Sequence, residues 1–231
     1  METAILDIEK MEEEVGVVHQ TILAPKNYDW VGKEVVTIIL KCPTAPIDLC
    51  GKSSLEWVKL ACALTKTVVI DEVDEENLLL ALRDYTENGR IIMVLYADTP
   101  LIETSTLLDA LDMFSSRNMR AMAMPRGYIF SSDYIKDNST FLSLVRKRIA
   151  PEQFVSVRTA SEVSAACEIL YQKIRDFHKE SGVILLGEQT IFIDADVQIA
   201  PGVVIEPCCI IKGKSVIDHD LHSFSRIEDK N

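Results

Sequence analysis

This 231-residue chain has no long hydrophobic run: its longest apolar stretches, residues 35–40 and 91–96, are far short of a membrane span, which needs about 20 residues. It also lacks basic excess, with 24 Lys and Arg against 36 Asp and Glu and a net charge of −12. Such a surface repels phosphate backbones and anionic lipid, so neither nucleic acid nor a membrane is an expected partner. The six cysteines (Cys42, Cys50, Cys62, Cys167, Cys208 and Cys209) contain no C-x-x-C pair. In a reducing compartment they read as free, buried thiols. The start, METAILDIEKMEEE, has neither the basic residues nor the apolar stretch of a secretion signal, and a cytoplasmic protein is expected. Ser53 and Ser54 have no histidine nearby in sequence, so no serine triad can be drawn.

What is present is a soluble balance, 48% hydrophobic and 26% charged, arranged in two kinds of pattern. The first is an alternation of strands and helices. VVTIIL at 35–40 is a β-branched run suited to a strand buried on both faces. SSLEWVKLACAL at 53–64 puts Leu55, Val58 and Ala61 on one helical face behind a serine cap. TVVI at 67–70, an acid-capped helix at 74–86, a strand at 90–98 and a helix at 104–114 continue the series. This β-α-β-α-β-α order implies a parallel sheet flanked by helices. Two short strands separated by Pro125, a helix over 140–149, a strand over 153–157 and a long helix over 161–179 are expected next, with Gly182 as the stop.

The second pattern has a period of six. Ile193, Ile199, Ile205, Ile211 and Ile217 are spaced by hexads, with Val197, Val203, Cys209 and Ser215 four places after the first four. Neither a helix nor an ordinary strand repeats this way; a β-helix does, one aliphatic residue per flat face pointing inward. DHDLH at 218–222 places two histidines three apart. That spacing could serve a transition metal, but it reads more simply as a polar turn.

In this order, the elements resemble the bifunctional N-acetylglucosamine-1-phosphate uridyltransferases. TIILKCPTAPIDLCGKSSLEWVKLA is similar to that family's opening strand, loop and "C-G-K-P-x-L-E-W-V" helix entry. VLYADTPLI is similar to its "V-L-x-G-D-x-P-L-I" strand end, and the long helix with the following hexads to its linker helix and first β-helix coil. The resemblance spans most of residues 35–217. It implies an α/β fold: a reduced Rossmann-like nucleotidyltransferase domain with a mostly parallel sheet, a linker helix, and a short C-terminal left-handed β-helix stub. The expected boundaries are an extension at 1–34, the α/β domain at 35–158, the linker helix at 159–182, and the stub and tail at 183–231.

The departures from the pattern bear on activity. The family's first strand runs into a glycine-rich loop whose N–H groups wrap a triphosphate. Here no glycine occurs between Gly32 and Gly51, and Pro43 and Pro46 remove donors. The family's "Q-x-x-G-T-x-H-A" base-reading stretch has no counterpart. Lys41, Lys52, Gly127 and Arg158 are the vestigial ligand-binding positions that the resemblance leaves. Asp98 stands where the family binds magnesium, but the second ligand, an Asn, is replaced within Val157-Arg158-Thr159. Mg²⁺ is therefore the one cofactor to consider, and Asp98 its one candidate ligand; an Asp capping the turn before Pro100 explains the same residue.

The resemblance leads to a degenerate nucleotidyltransferase-like protein without pyrophosphorylase activity, serving in assembly or weak binding of a sugar nucleotide or sugar phosphate. The alternative is an active Mg²⁺-dependent enzyme making a nucleotide sugar from an NTP and a sugar 1-phosphate. Acetyl transfer is not expected, because the hexads make about one and a half coils. An open coil end would need residues 1–34 as a cap or packing between copies, so a homo-oligomer is expected.

Overall fold

The computed structural model describes residues 28–44, 48–140, 144 and 146–228. They divide into two compact units. The first comprises the described residues up to 44 together with Ser53–Ala166; the second comprises Asp48–Lys52 and the chain from Cys167 onward. Most of the expected 1–34 extension lies outside the described residues; its last four, Val31–Glu34, form a helical turn.

The first unit is a mixed five-stranded sheet in the order β2-β1-β3-β5-β4. Its strands are β1 (Val35–Leu40), β2 (Lys66–Ile70), β3 (Ile91–Tyr96), β4 (Ala121–Met124) and β5 (Gly127–Ser131). β2 and β3 flank β1 in parallel; β5 runs antiparallel to β3, and β4 antiparallel to β5. Every residue of β1 is buried, because alternate side chains serve two cores. Val35 and Ile39 pack in one with α1 (Ser54–Ala61) and α3 (Thr104–Ser116). Val36, Ile38 and Leu40 pack in the other with α2 (Glu75–Leu82) and α4 (Ser132–Asp137). Helix α1 starts on a capping box: Ser53 Oγ accepts from Glu56 N–H, and the Glu56 carboxylate accepts from Ser53 N–H at 2.7 Å.

Two elements differ from the sequence reading. Within 140–149, residues 141–143 and 145 lie outside the described residues, and the remainder from Arg146 is not helical. Arg146 bridges Ala123 in parallel and Lys147 N–H donates to the Ala123 carbonyl, so the edge of β4 takes the backbone bonds a helix would have used. The strand expected over 153–157 is replaced at its start by a 3₁₀ turn, Pro151–Phe154. Pro151 fixes the helical φ at its first position, and left-handed Ala150 precedes it.

The second unit contains α5, Ala160–Glu180, from Cys167 onward, and seven two-residue strands. These are β6 (Ile184–Leu185), β7 (Phe192–Ile193), β8 (Gln198–Ile199), β9 (Val204–Ile205), β10 (Ile210–Ile211), β11 (Val216–Ile217) and β12 (Arg226–Ile227). All pairings are parallel: β6 with β9, β7 with β10, β8 with β11 and β10 with β12. The chain thus visits three small sheets in cyclic order. Ile193, Ile199, Ile205, Ile211 and Ile217 are all buried, as are Val197, Val203, Cys209 and Ser215. Gly182, at φ 91°, turns the chain out of α5. No helix among the described residues is long and apolar enough to cross a membrane.

Candidate functional site

The parallel register aligns Leu40 with Tyr96, so the residues after β1 and β3 emerge together at the carboxyl edge, where open α/β sheets place ligands. Ala97 N–H donates to the Leu40 carbonyl, which carries the pairing one residue beyond the strands. The next residue is Asp98, whose side chain is wholly buried.

Four hydrogen bonds fill this carboxylate. Arg126 makes a fork: Nε to Oδ1 and Nη2 to Oδ2, both at 2.8 Å. Ser156 Oγ donates to Oδ2 at 2.6 Å and Arg158 Nε donates to the same oxygen at 2.7 Å. Burial alone would raise the Asp98 pKa, but the bonds from Arg126, Ser156 and Arg158 outweigh it and hold the carboxyl below its ordinary value. The main chain adds another anchor, with Val157 N–H donating to the Asp98 carbonyl at 2.8 Å.

Arg126 is itself fixed. Its guanidinium lies 4.2 Å from the centroid of the Tyr96 ring, a cation–π distance. It occupies the two-residue turn between β4 and β5, followed by Gly127 at φ 143°. A Cβ on Gly127 would meet the Val94 carbonyl at 2.5 Å. The glycine is therefore required for the hairpin to lie close against β3. Cys42, after β1, completes the surroundings. Its thiol pKa is pushed up by burial and then by the Asp98 charge. Tyr128 hydrogen-bonds Glu75 through its hydroxyl, and burial raises the phenol's pKa.

The sequence-derived positions disperse. Asp98 and Arg158 meet, and Gly127 adjoins them through Arg126. Lys41 pairs with Asp71 at 3.0 Å, both side chains mostly exposed. Lys52 belongs to the second unit, where Nζ binds Asp196 Oδ1 at 2.6 Å. Ser54 Oγ donates to the Ala97 carbonyl at 2.6 Å, a contact within the fold. His219 bonds its neighbour Asp218, whereas His222 lies 3.5 Å from Glu206, so the two histidines have separate partners. Sequence reasoning missed Arg126 and Ser156. The only signal for Arg126 was its place between Pro125 and Gly127, a turn in which an arginine ordinarily stays solvated.

Mg²⁺ takes hard oxygen ligands in near-octahedral array, and these residues do not fit it. The one carboxylate at the strand end already carries two guanidiniums and a hydroxyl, and a metal would have to enter beside those fixed positive charges. No group of three or more His, Cys, Asp or Glu suited to a metal occurs among the described residues. As built, the arrangement can hold positive side chains rigidly at the edge of the sheet.

No family model matches the chain. It is similar to the bifunctional protein GlmU of Listeria monocytogenes serotype 4a (strain HCC23), 25% identical over 228 residues that cover 91% of this chain and 48% of that protein. The corresponding Listeria welshimeri protein is 26% identical over 239 aligned residues, covering 96% and 50%. The Levilactobacillus brevis protein is 32% identical over 80 residues, 35% of this chain. The chain thus spans about half the length of the first relatives it matches. The resemblance drawn from three segments is one that nine-tenths of the chain carries. Among solved structures, 4-diphosphocytidyl-2C-methyl-D-erythritolsynthase from Anaerococcus prevotii DSM 20548 aligns over 60% of this chain and 99% of its own, at 10% identity and a TM-score of 0.39.

Proposed function

We propose that this chain is a nucleotidyltransferase-like protein that lacks pyrophosphorylase activity and serves in weak binding of a phosphorylated ligand, a sugar nucleotide or sugar phosphate, or in assembly. The observation that carries this reading is the occupied Asp98 carboxylate, with Arg126, Ser156 and Arg158 on its two oxygens. Nucleotidyl transfer depends on charge clamps and in-line positioning around a metal-bound phosphate. Here the residue best placed for a metal is a counter-anion for arginines. The glycine-free stretch after β1, with Pro43 and Pro46, supports the same conclusion, because a phosphate cradle needs free N–H groups. The deciding assay is pyrophosphate release from a panel of NTPs with sugar 1-phosphates and Mg²⁺. No turnover is expected; turnover that Asp98→Asn abolishes would overturn the reading.

The second unit we read as a short left-handed β-helix that mediates homo-oligomer formation. Its cyclic parallel pairing and buried isoleucine ladder support the first part. The exposure of Val216 at 64% and Phe224 at 81% supports the second. Light scattering on the full chain tests the assembly, and a strict monomer at all concentrations overturns it. The six free thiols accord with a reducing, cytoplasmic setting.

A further inference from the structure

In a chain of net charge −12, the hairpin between β4 and β5 gathers cations that few carboxylates match. Arg126 and Arg158 share one carboxylate, Asp98. Each places Nε and Nη2 on it, and among the described residues neither outer Nη1 has a hydrogen-bond partner, with the Cys42 thiol beside Arg158. Their side chains are 28% and 43% exposed, so these outer edges have access to solvent. A second group of cations is tied to the same hairpin. Arg146 bridges Ala123 and donates from Nη1 to the Pro125 carbonyl at 2.7 Å, one residue from Arg126. Lys147 N–H donates to the Ala123 carbonyl at 2.8 Å. Arg146, Lys147 and Arg148 form no ion pair among the described residues. Three arginines, Arg126, Arg146 and Arg158, therefore stand at this edge with Asp98, and Glu162 accepts from the Arg158 main chain beside them.

We propose that this hairpin tip is a metal-independent site for an oligophosphate, with Arg126 and Arg158 as fixed forks and Arg146 beside them. This deepens the non-catalytic reading and rests on it: Asp98 acts as an internal anion that positions two arginines. Guanidinium forks match phosphate oxygens in pairs. Asp98 and the Tyr96 ring already hold Arg126, so little side-chain freedom is lost on binding. A phosphate chain carries several negative charges and suits an excess of cations spread over two segments; a single carboxylate would use only one fork.

Inorganic pyrophosphate is titrated into the full chain in EDTA at constant ionic strength, followed by calorimetry and by ³¹P line broadening. Binding is expected without metal. Arg126→Gln and Arg158→Gln should each weaken it about tenfold, the loss of one charged fork. Asp98→Asn should tighten it severalfold, because it removes the anion that competes for both guanidiniums; a metal site would respond in the opposite direction. No binding up to about 10 mM, a requirement for Mg²⁺, weaker binding in Asp98→Asn, or indifference to both arginine variants overturns the site. If circular dichroism shows Asp98→Asn unfolded, the two arginine variants decide. Turnover in the pyrophosphate-release assay overturns the non-catalytic reading whatever this titration gives, whereas a flat titration without turnover overturns the oligophosphate site alone.

Discussion

The two units each bury an aspartate just beyond a strand, and they treat it in opposite ways. Asp98 follows β3 by two residues and is held ionised by two guanidiniums and a hydroxyl. Asp194 directly follows β7, and burial raises its pKa against a main-chain donor, Gly213 N–H at 3.0 Å, and the Lys212 charge. The same contrast runs through other titratable groups of the second unit. Burial lowers the His178 pKa to about 4, and it pushes up the Cys50 thiol. Arg175 is buried with the Ile191 carbonyl and the Gln172 side chain as its hydrogen-bond acceptors. A sheet edge with long loops can bring distant cations onto one carboxylate; two-residue strands separated by tight turns supply mainly backbone donors. The type of residue buried therefore says little about its charge state until its partners are known.

The comparison breaks most readily at the arginines. Arg126→Ala with Arg158→Ala leaves a buried carboxylate with Ser156 as its remaining side-chain donor, and a loss of about 3–5 kcal/mol is expected in chemical denaturation. A loss below about 1 kcal/mol would mean that Asp98 behaves like Asp194.

The pH dependence of stability separates the units next. His178 has a folded pKa below its unfolded value of 6.5, so between about 6.5 and 4 the unfolded chain binds a proton that the folded chain does not. Stability should fall by about 3 kcal/mol across that window, and His178→Leu should flatten the slope in urea midpoints measured at successive pH values. Asp98, with a depressed folded pKa, stabilises the fold above its unfolded value of 3.8, and that contribution disappears as pH falls through the folded pKa. Asp194, with a raised one, favours the fold at low pH and loses that contribution as pH rises through its folded pKa. Asp98→Asn and Asp194→Asn should therefore change the acid limb of the stability curve in opposite directions.

Smaller effects sharpen the contrast. Gly127→Ala forces a Cβ against the Val94 carbonyl at a left-handed φ and should cost about 2 kcal/mol, measured by thermal unfolding. If Gly127 were chiefly a ligand contact, stability would be unchanged. Asp194→Asn keeps an oxygen for Gly213 N–H and removes the buried charge, so its stability at pH 7 should lie within about 1 kcal/mol of the parent or slightly above it. A large loss there would show that Asp194 is as strongly partnered as Asp98.

Much of this was readable from the residues. Strands β1, β2 and β3 and the helices between them follow from local runs such as VVTIIL and from caps such as Ser53, because backbone propensity and burial agree there. The misreading at 140–149 falls where a tertiary contact took the backbone, with Ala123 binding the main chain at Arg146 and Lys147; the one at 153–157 falls where Pro151 starts a 3₁₀ turn. At the candidate site, Asp98 was legible from its place at the end of a strand, and Arg158 from its replacement of an expected Asn. Arg126 and Ser156 lie 28 and 58 residues from Asp98 in sequence, beyond any local spacing rule.

The sequence by itself determined which residues must be buried: the continuous strand runs, the amphipathic helices and the isoleucine at every sixth place, since hydrophobic periodicity is a local property that each segment expresses alone. Only the tertiary structure decided what the polar residues do. Whether Asp98 binds a metal or a pair of arginines depends on which cations the loops deliver to it, and that is set by long-range packing that no short window of residues encodes.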